Sequence, residues 1–386
     1  MRRLVLLCSA FAFLCATASA DAQTQPATSA KRTVSGKKGA AVTVPPLADT
    51  RPRYKRDDAP APVAATPLGV TPKKRTVRRP ANLAAQPAAT DPGARATARD
   101  VAACAQVRDH DAAIAGCSRV IEDPKQKPKG RSASYYNRGN AFAAKGDQGA
   151  AISDYDEAIK LEPKNARAFN NRGTAHSDKG ELDAAIEDFS NAIKHDARFA
   201  SGYFNRANAY AAKGEGDRAI DDYTAAIKYN RRNVNAYIAR GALYLAGGAA
   251  AKAQADMKLA SRLERRNAYA VLWQDIAERR GKQKGVLAGG KGLKNVEMNG
   301  WPAPLLLMFV GELKPDGALI AADDANPALK EAHTCEANFY GGQHALIGGN
   351  RDDAAKLFRA AAKDCPRGFL EGIAATAELK RLDEKL

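Results

Sequence analysis

Four arginines and four aspartates recur in this sequence at one fixed interval. Arg138, Arg172, Arg206 and Arg240 stand 34 residues apart, and Asp154, Asp188, Asp222 and Asp256 follow them in step. A guanidinium offers a planar fork of donors that matches a carboxylate in two parallel bonds. The shared period predicts a ladder of charge-assisted pairs, each Arg reaching an Asp on a neighbouring helix; the alternative is two unrelated solvated rows. Half-buried, such pairs set register more than they add stability.

Other candidates for chemistry are sparse. The histidines His110, His176, His195, His333 and His344 are scattered. His333 and Cys335 have ligand-like spacing, but no second Cys/His pair stands near them, and a cysteine held in a disulfide is neither a metal ligand nor a thiolate nucleophile. No phosphate-binding GxxxxGK[ST] loop occurs. The glycine-rich "AGGKGLKN" at 288–295 has no strand before it and reads as a loop. Paired carboxylates such as Asp221 and Asp222 fall on a helix surface, where solvated charge is the ordinary reading. The sequence therefore points to no catalytic residue, no metal and no cofactor, and the chain is expected not to be an enzyme.

The elements that carry the Arg and Asp rows repeat as well. "YYNRGNAFAAKGDQGAAISDYDEAIKLEP" from Tyr135 returns with variations from Phe169 and Tyr203. With the glycine of "NRG" as slot eight, four gapless units of 34 residues cover 132–165, 166–199, 200–233 and 234–267. Slots eight, twenty and twenty-seven hold Gly or Ala, which lets two antiparallel helices approach closely. Slots four and twenty-four hold large residues, among them Tyr135, Phe169, Tyr155 and Phe189, which fill the space between hairpins. Gly146, Gly180, Gly214 and Gly248 at slot fifteen end the first helix, because glycine takes the left-handed backbone without steric cost. This pattern resembles the tetratricopeptide repeat, a helix–turn–helix unit. The fold class expected is all-α, a tetratricopeptide superhelix or α-solenoid. One hairpin cannot cover its own apolar face, and stacking buries it against the next copy.

The cysteines obey the same frame. Extended backwards it gives a degenerate unit over 94–127, within a segment 94–131, with Cys104 at slot eleven and Cys117 at slot twenty-four. Those slots hold residues such as Phe142 and Tyr155 elsewhere and face each other across the hairpin, so a disulfide is expected in place of the aromatic contact. Applied to the far end, the frame centres Cys335 and Cys365 on the "GGN" turn, and antiparallel helices would bring them together. Losing either bridge should cost about 2–5 kcal/mol.

The ends of the chain differ from this body. Arg2 and Arg3, the apolar run Leu4–Ala16 and "ASA" at 18–20 read as a secretory signal over 1–20. Lipidation of Cys15 and retention of the leader as an anchor are the alternatives. No later segment is long and apolar enough to span a membrane. Residues 21–93 hold 11 of the 19 prolines and runs such as "TPKKRTVRRP". They show neither helical nor strand periodicity and are expected to be a disordered arm. Most of the net charge of +17 lies before residue 98. Such an arm is either a solvated linker or a contact for an anionic envelope polymer or lipid headgroups; nucleic acid is not the expected partner of an exported chain.

Between the arrays, 268–330 reads as connecting helices around a glycine-rich loop, and 331–386 as a repeat-like hairpin closed by a terminal helix that would cover the end of the stack. "VLWQDIAERRG", "NGWPAPLLLMFVGEL" and "CEANFYGGQHALIGGNRDDAAKLFRAAAKDCP" follow in this order. This half resembles NlpI-type tetratricopeptide proteins of the bacterial envelope. The resemblance, over roughly 94–386, implies a non-enzymatic periplasmic adaptor that binds proteases or peptidoglycan hydrolases. The chain departs from that pattern in its basic arm and in lacking a lipid-attachment cysteine in a suitable context. In such stacks the first helix of each unit lines a concave groove through slots two, five, six, nine and thirteen. Here these include Tyr136, Asn137, Asn140, Asn170, Asn171, Phe204, Asn205 and Asn208, with Ile238 further along. Asparagines could hold an extended peptide backbone, with Tyr136 and Phe204 as anchors, or could serve only to stabilise the inner helices. Lysines are missing at slots two and five, so no carboxylate clamp is expected. The function expected is a protein-binding scaffold of the envelope; the alternative is a wall- or membrane-associated structural protein working through its arm.

Overall fold

The structure, a computed structural model, describes residues 95–106 and 108–383, and the backbone alone of 33–35 and 41–43. The leader and nearly all of the basic arm lie outside the described residues, as do Cys8 and Cys15. Inside the arm, Thr33–Ser35 (β1) and Ala41–Thr43 (β2) pair antiparallel, with Val34 opposite Val42. The sequence reading expected no strand there. Both three-residue runs carry β-branched side chains, and the glycines Gly36 and Gly39 lie between them. The chain divides after Pro45, the strand pair falling in the first unit and the helices in the second.

Helices follow in pairs: α1 (Ala98–Cys104) with α2 (His110–Glu122), α3 (Pro128–Ala144) with α4 (Gln148–Leu161), α5 (Ala166–Lys179) with α6 (Leu182–His195), α7 (Ala200–Ala212) with α8 (Gly216–Tyr229), and α9 (Val234–Ala246) with α10 (Ala250–Leu263). Each pair packs on the next, the signature of a solenoid. Asn165, Asn233 and Asn267, at the last slot of their units, cap the following helix by accepting from Ala168, Ala236 and Ala270 N–H. The turn within each repeat needs a left-handed residue, and Gly146, Gly180, Gly214 and Gly248 supply it with φ of 86°, 84°, 78° and 78°.

Packing inside each hairpin is close. A Cβ on Gly139 would lie 2.8 Å from the Tyr155 ring, and one on Gly173 2.8 Å from the Phe189 ring. Tyr155, Phe189, Tyr223 and Met257 at slot twenty-four are buried, as are the alanines of slots twenty and twenty-seven. Burying one such ring contributes roughly 1.5–3 kcal/mol, so each hairpin depends on the small residue that admits it.

Beyond the fourth repeat come α11 (Ala268–Arg280), a 3-10 segment (Ala288–Asn295), α12 (Ala303–Val310) and α13 (Pro315–Ala321). The glycine-rich stretch read as a loop thus forms 3-10 turns interrupted by left-handed Gly289 and Gly290. A second array pairs α14 (Pro327–Ile347) with α15 (Arg351–Asp364), and α16 (Leu370–Asp383) ends the described chain. The last helix does more than cover the end of the stack: besides α15 it packs on α14 and on α9, the inner helix of the fourth repeat. Leu370, Ala374, Ala375 and Leu382 of α16 share one buried cluster with Tyr237, Ile238 and Leu245. Among the described residues no helix is long and apolar enough to cross a membrane.

Candidate functional site

Each Arg of the slot-seven row grips the Asp of its own hairpin with two parallel bonds. Arg138 Nε and Nη2 donate to Asp154 at 2.8 and 2.8 Å, and Arg240 does so to Asp256 at 2.8 and 2.7 Å. Arg172 meets Asp188 at 2.9 and 2.5 Å, and Arg206 meets Asp222 at 2.7 and 2.9 Å. These pairs lie between the two helices of one hairpin, so alone they would not link repeats. The third guanidinium nitrogen makes that link. Nη1 donates to Ser118, Asp156, Ser190 and Thr224 in turn, each on the outer helix of the preceding hairpin. Slot twenty-five, which sequence reasoning passed over, is therefore the crossing point. An acceptor stands there before every slot-seven Arg; in the fourth repeat, after which no such Arg follows, it is Lys258.

The aspartates are almost fully covered and the arginines about one-fifth exposed. The Asp hydrogen bonds push Arg138, Arg172 and Arg206 above the ordinary arginine value, against the opposing effect of burial. For Arg240 burial is the largest influence and lowers the value, yet Asp256 more than offsets it. Each guanidinium also lies over the slot-four ring, 5.5 Å from the centroids of Tyr135 and Phe169.

The face lined by the inner helices is more occupied than the sequence suggested. Tyr136 is 2% exposed and Asn170 6% exposed, so neither offers a free surface to a ligand. Asn171 Nδ2 donates to Tyr136 Oη at 3.0 Å and to Asn140 Oδ1 at 2.8 Å, both in the preceding repeat. Asn205 Nδ2 donates to Asn170 Oδ1 at 3.0 Å, and Asn170 Nδ2 to Asn171 Oδ1 at 3.2 Å. The asparagines thus knit the inner helices of repeats one to three together. Two of them also serve buried phenols: Tyr155 Oη donates to Asn140 Oδ1 at 2.8 Å and Tyr223 Oη to Asn208 Oδ1 at 2.7 Å. The signal is in the sequence. Where slot twenty-four is Tyr, slot nine is Asn; where slot twenty-four is Phe189 or Met257, slot nine is Thr174 or Ala242.

What remains open is the face of α3, α5 and α7. Asn137, Asn171 and Asn205 form a row along it at slot six, with Ser201, exposed Arg167 and half-buried Phe204 beside them. Asn137 Oδ1 is buried without a hydrogen-bond partner among the described residues. It borders a small cleft lined by Val101, Cys104, Val120 and Ala133, where the short α1 presents no counterpart to Asn140. The fourth repeat is closed: Ile238 is buried beneath the cluster that α16 joins. The link before α16 also reaches back, Arg367 Nη1 donating to Lys179 O at 3.0 Å.

Both cysteine pairs are bridged, Cys104–Cys117 with Cα atoms 4.4 Å apart and Cys335–Cys365 with Cα atoms 4.8 Å apart. His333, two residues before a bridged cysteine, stacks on Trp301 at 4.5 Å. Among the described residues no three His, Cys, Asp or Glu side chains gather as a metal site. The second array carries a buried polar set that has no repeat frame to announce it. Glu336 accepts from Tyr269 Oη at 2.7 Å and Trp301 Nε1 at 2.6 Å, joining α11, the segment before α12, and α14. Tyr340 Oη donates to Glu371 at 3.0 Å, and burial holds that carboxyl above the ordinary glutamate value. Asp275, raised by burial, accepts from Leu287 N–H at 2.7 Å and lies 2.7 Å from Arg279 Nε, whose N–H is not aimed at it. Glu378 meets Arg280 from α11.

Comparisons with known proteins agree with the repeat frame. The family "TPR repeat" matches residues 139–180 and 174–214, and "Tetratricopeptide repeat" matches 204–262. The chain carries tetratricopeptide repeats. No curated protein matches it. Similar solved structures include MamA, 26% identical with a TM-score of 0.38, covering 42% of this chain and 92% of that one. YrrB, described as a TPR protein with an unusual peptide-binding site, is 16% identical with a TM-score of 0.39, covering 53% of this chain and 95% of that one. PilF of Pseudomonas aeruginosa is 17% identical with a TM-score of 0.40, covering 64% of this chain and 97% of that one.

Proposed function

We propose that this chain is an exported, non-enzymatic adaptor of the bacterial envelope that holds a protein partner along the open face of α3, α5 and α7. A tetratricopeptide stack is a scaffold suited to protein–protein interaction, because its curvature offers one long surface rather than a pocket. The observation that carries the reading is the stretch of inner wall on α3, α5 and α7 that α16 leaves uncovered, with exposed Arg167 and half-buried Ser201 and Phe204 on it. An extended segment can lie along such a face, with Phe204 as an apolar anchor. Export is supported by the signal-like start and by two disulfides, which persist in oxidising compartments. Proteases and peptidoglycan hydrolases are the partner classes that the NlpI-type resemblance suggests.

The test is affinity capture from a periplasmic extract with the full chain as bait. Asn137→Trp plus Ser201→Trp places bulk on the open face without removing any of the asparagine bonds described. Glu187→Trp, on exposed outer helix α6, is the control. The face variant is expected to lose the partners that both wild type and control retain. Recovery of the same proteins with all three baits would rule the face out.

A further inference from the structure

The two edges of the repeat stack differ in how their charges are used. On the edge made by the turns within hairpins, most cations are paired, with Arg108 and Lys252 as exceptions among the described residues. Lys145 meets Asp111, Lys179 meets Glu181, Lys213 meets Asp183 and Glu215, and Arg218 meets Glu215. The opposite edge is made by the links between hairpins. There the α8–α9 and α10–α11 links and the helix ends before them carry Lys228, Arg231, Arg232, Arg262, Arg265 and Arg266, all exposed, with one acid, Glu264. None of these six cations lies in an ion pair among the described residues, whereas on the other edge acids stand within reach of Lys145, Lys179, Lys213 and Arg218.

An apolar feature sits at the same place. Leu259 and Leu263 are 41% and 38% exposed, the only large apolar side chains so exposed among the described residues of the repeat hairpins. Four residues apart on α10, they share a face. Arg262 stands between them, and Arg265 and Arg266 follow after Glu264. A soluble polyanion would engage the arginines and gain nothing from the leucines. A bilayer surface rewards both, with headgroup charge for the cations and the acyl boundary for the leucines.

We propose that the edge formed by the α8–α9 and α10–α11 links docks on an anionic lipid surface, with Arg231, Arg232, Arg265 and Arg266 on the headgroups and Leu259 and Leu263 at the interface. The site is separate from the open face of α3, α5 and α7 and does not rest on the adaptor reading. Each basic residue near such a surface strengthens binding by roughly fivefold at moderate salt.

Flotation of the full chain with phosphatidylcholine vesicles, with and without phosphatidylglycerol, tests this. Every variant keeps residues 21–93, so differences report the edge and not the arm. Replacing Arg231, Arg232, Arg265 and Arg266 with Gln should lower partitioning onto phosphatidylglycerol vesicles at least tenfold. Leu259→Ser plus Leu263→Ser should lower it several-fold while leaving its salt dependence in place. Lys145→Gln plus Lys213→Gln, on the paired edge, should bind as wild type. Unchanged binding by the arginine variant, or an equal loss in the paired-edge control, would overturn the proposal. Full vesicle binding by the leucine variant would also overturn it, because the edge would then be held to the vesicle by charge alone, with no leucine at the interface. Far-UV circular dichroism of each variant, expected to match wild type because all substituted side chains face solvent, confirms that folded proteins are compared.

Discussion

The phenol of Tyr223 donates to Asn208 Oδ1 at 2.7 Å across the third hairpin, as Tyr155 does to Asn140 at 2.8 Å across the first. Both rings are 1% exposed, so each hydroxyl has left water and needs a fixed acceptor. The second hairpin solves the same packing problem without a hydroxyl, using Phe189 opposite Thr174. The asparagines of slot nine are thus half of a core contact, and their presence follows from the residue at slot twenty-four.

Asn208→Ala should strand the Tyr223 hydroxyl and destabilise the protein by about 1–3 kcal/mol. Adding Tyr223→Phe, with Asn208→Thr in place of Ala, recreates the second hairpin and should recover most of that loss. Urea unfolding of the single and double variants checks it. An uncompensated double variant would show that Asn208 contributes through some other contact.

Arg206 joins two hairpins, gripping Asp222 in its own and Ser190 in the one before. Arg206→Ala leaves Asp222 buried without its partner and should cost about 3 kcal/mol, since that charge keeps little solvent. Replacing the pair together, Arg206→Met with Asp222→Leu, should cost far less. A coupling near zero in the double-mutant cycle, measured by chemical denaturation, would mean that the pair is solvated in solution.

Glu371 makes stability depend on pH in a defined direction. Burial raises its pKa above the ordinary value of 4.5. From 4.5 upwards, the folded protein keeps a proton that the unfolded chain has lost, so stability falls as pH rises towards the folded value. Asp275, also raised by burial, acts in the same direction. Glu371→Gln keeps an acceptor for Tyr340 and removes the titration. It should melt higher than wild type at about pH 7 and lose that advantage at about pH 4. A variant that melts below wild type across this range would mean that the carboxylate is stabilised as a charge.

Legibility followed the repeat. Within a 34-residue frame, position implies neighbourhood, so Arg206 and Asp222, or Cys104 and Cys117, could be placed relative to one another from spacing alone. Sidedness was harder. Asn170 and Asn171 are adjacent in the chain, yet one is buried and the other half-buried, and both turn to the neighbouring repeat instead of outwards. Outside the frame the sequence had little to say. Tyr269 and Glu336 stand 67 residues apart and Arg280 and Glu378 stand 98 apart, with no period to align them. For the same reason the seat of α16 on α9 could not be read: an alanine-rich amphipathic helix fits many partners, and only the folded second array decides which one it meets.

That seat has a consequence for anything lying along the inner wall. A guest that runs beside α3, α5 and α7 reaches a barrier at α9, because the protein's own tail already fills the place. In the proposed adaptor the corridor would therefore have a floor at one end, and extent would be something it discriminates: a short tail would fit whole, while a longer one would have to bend out at the third hairpin.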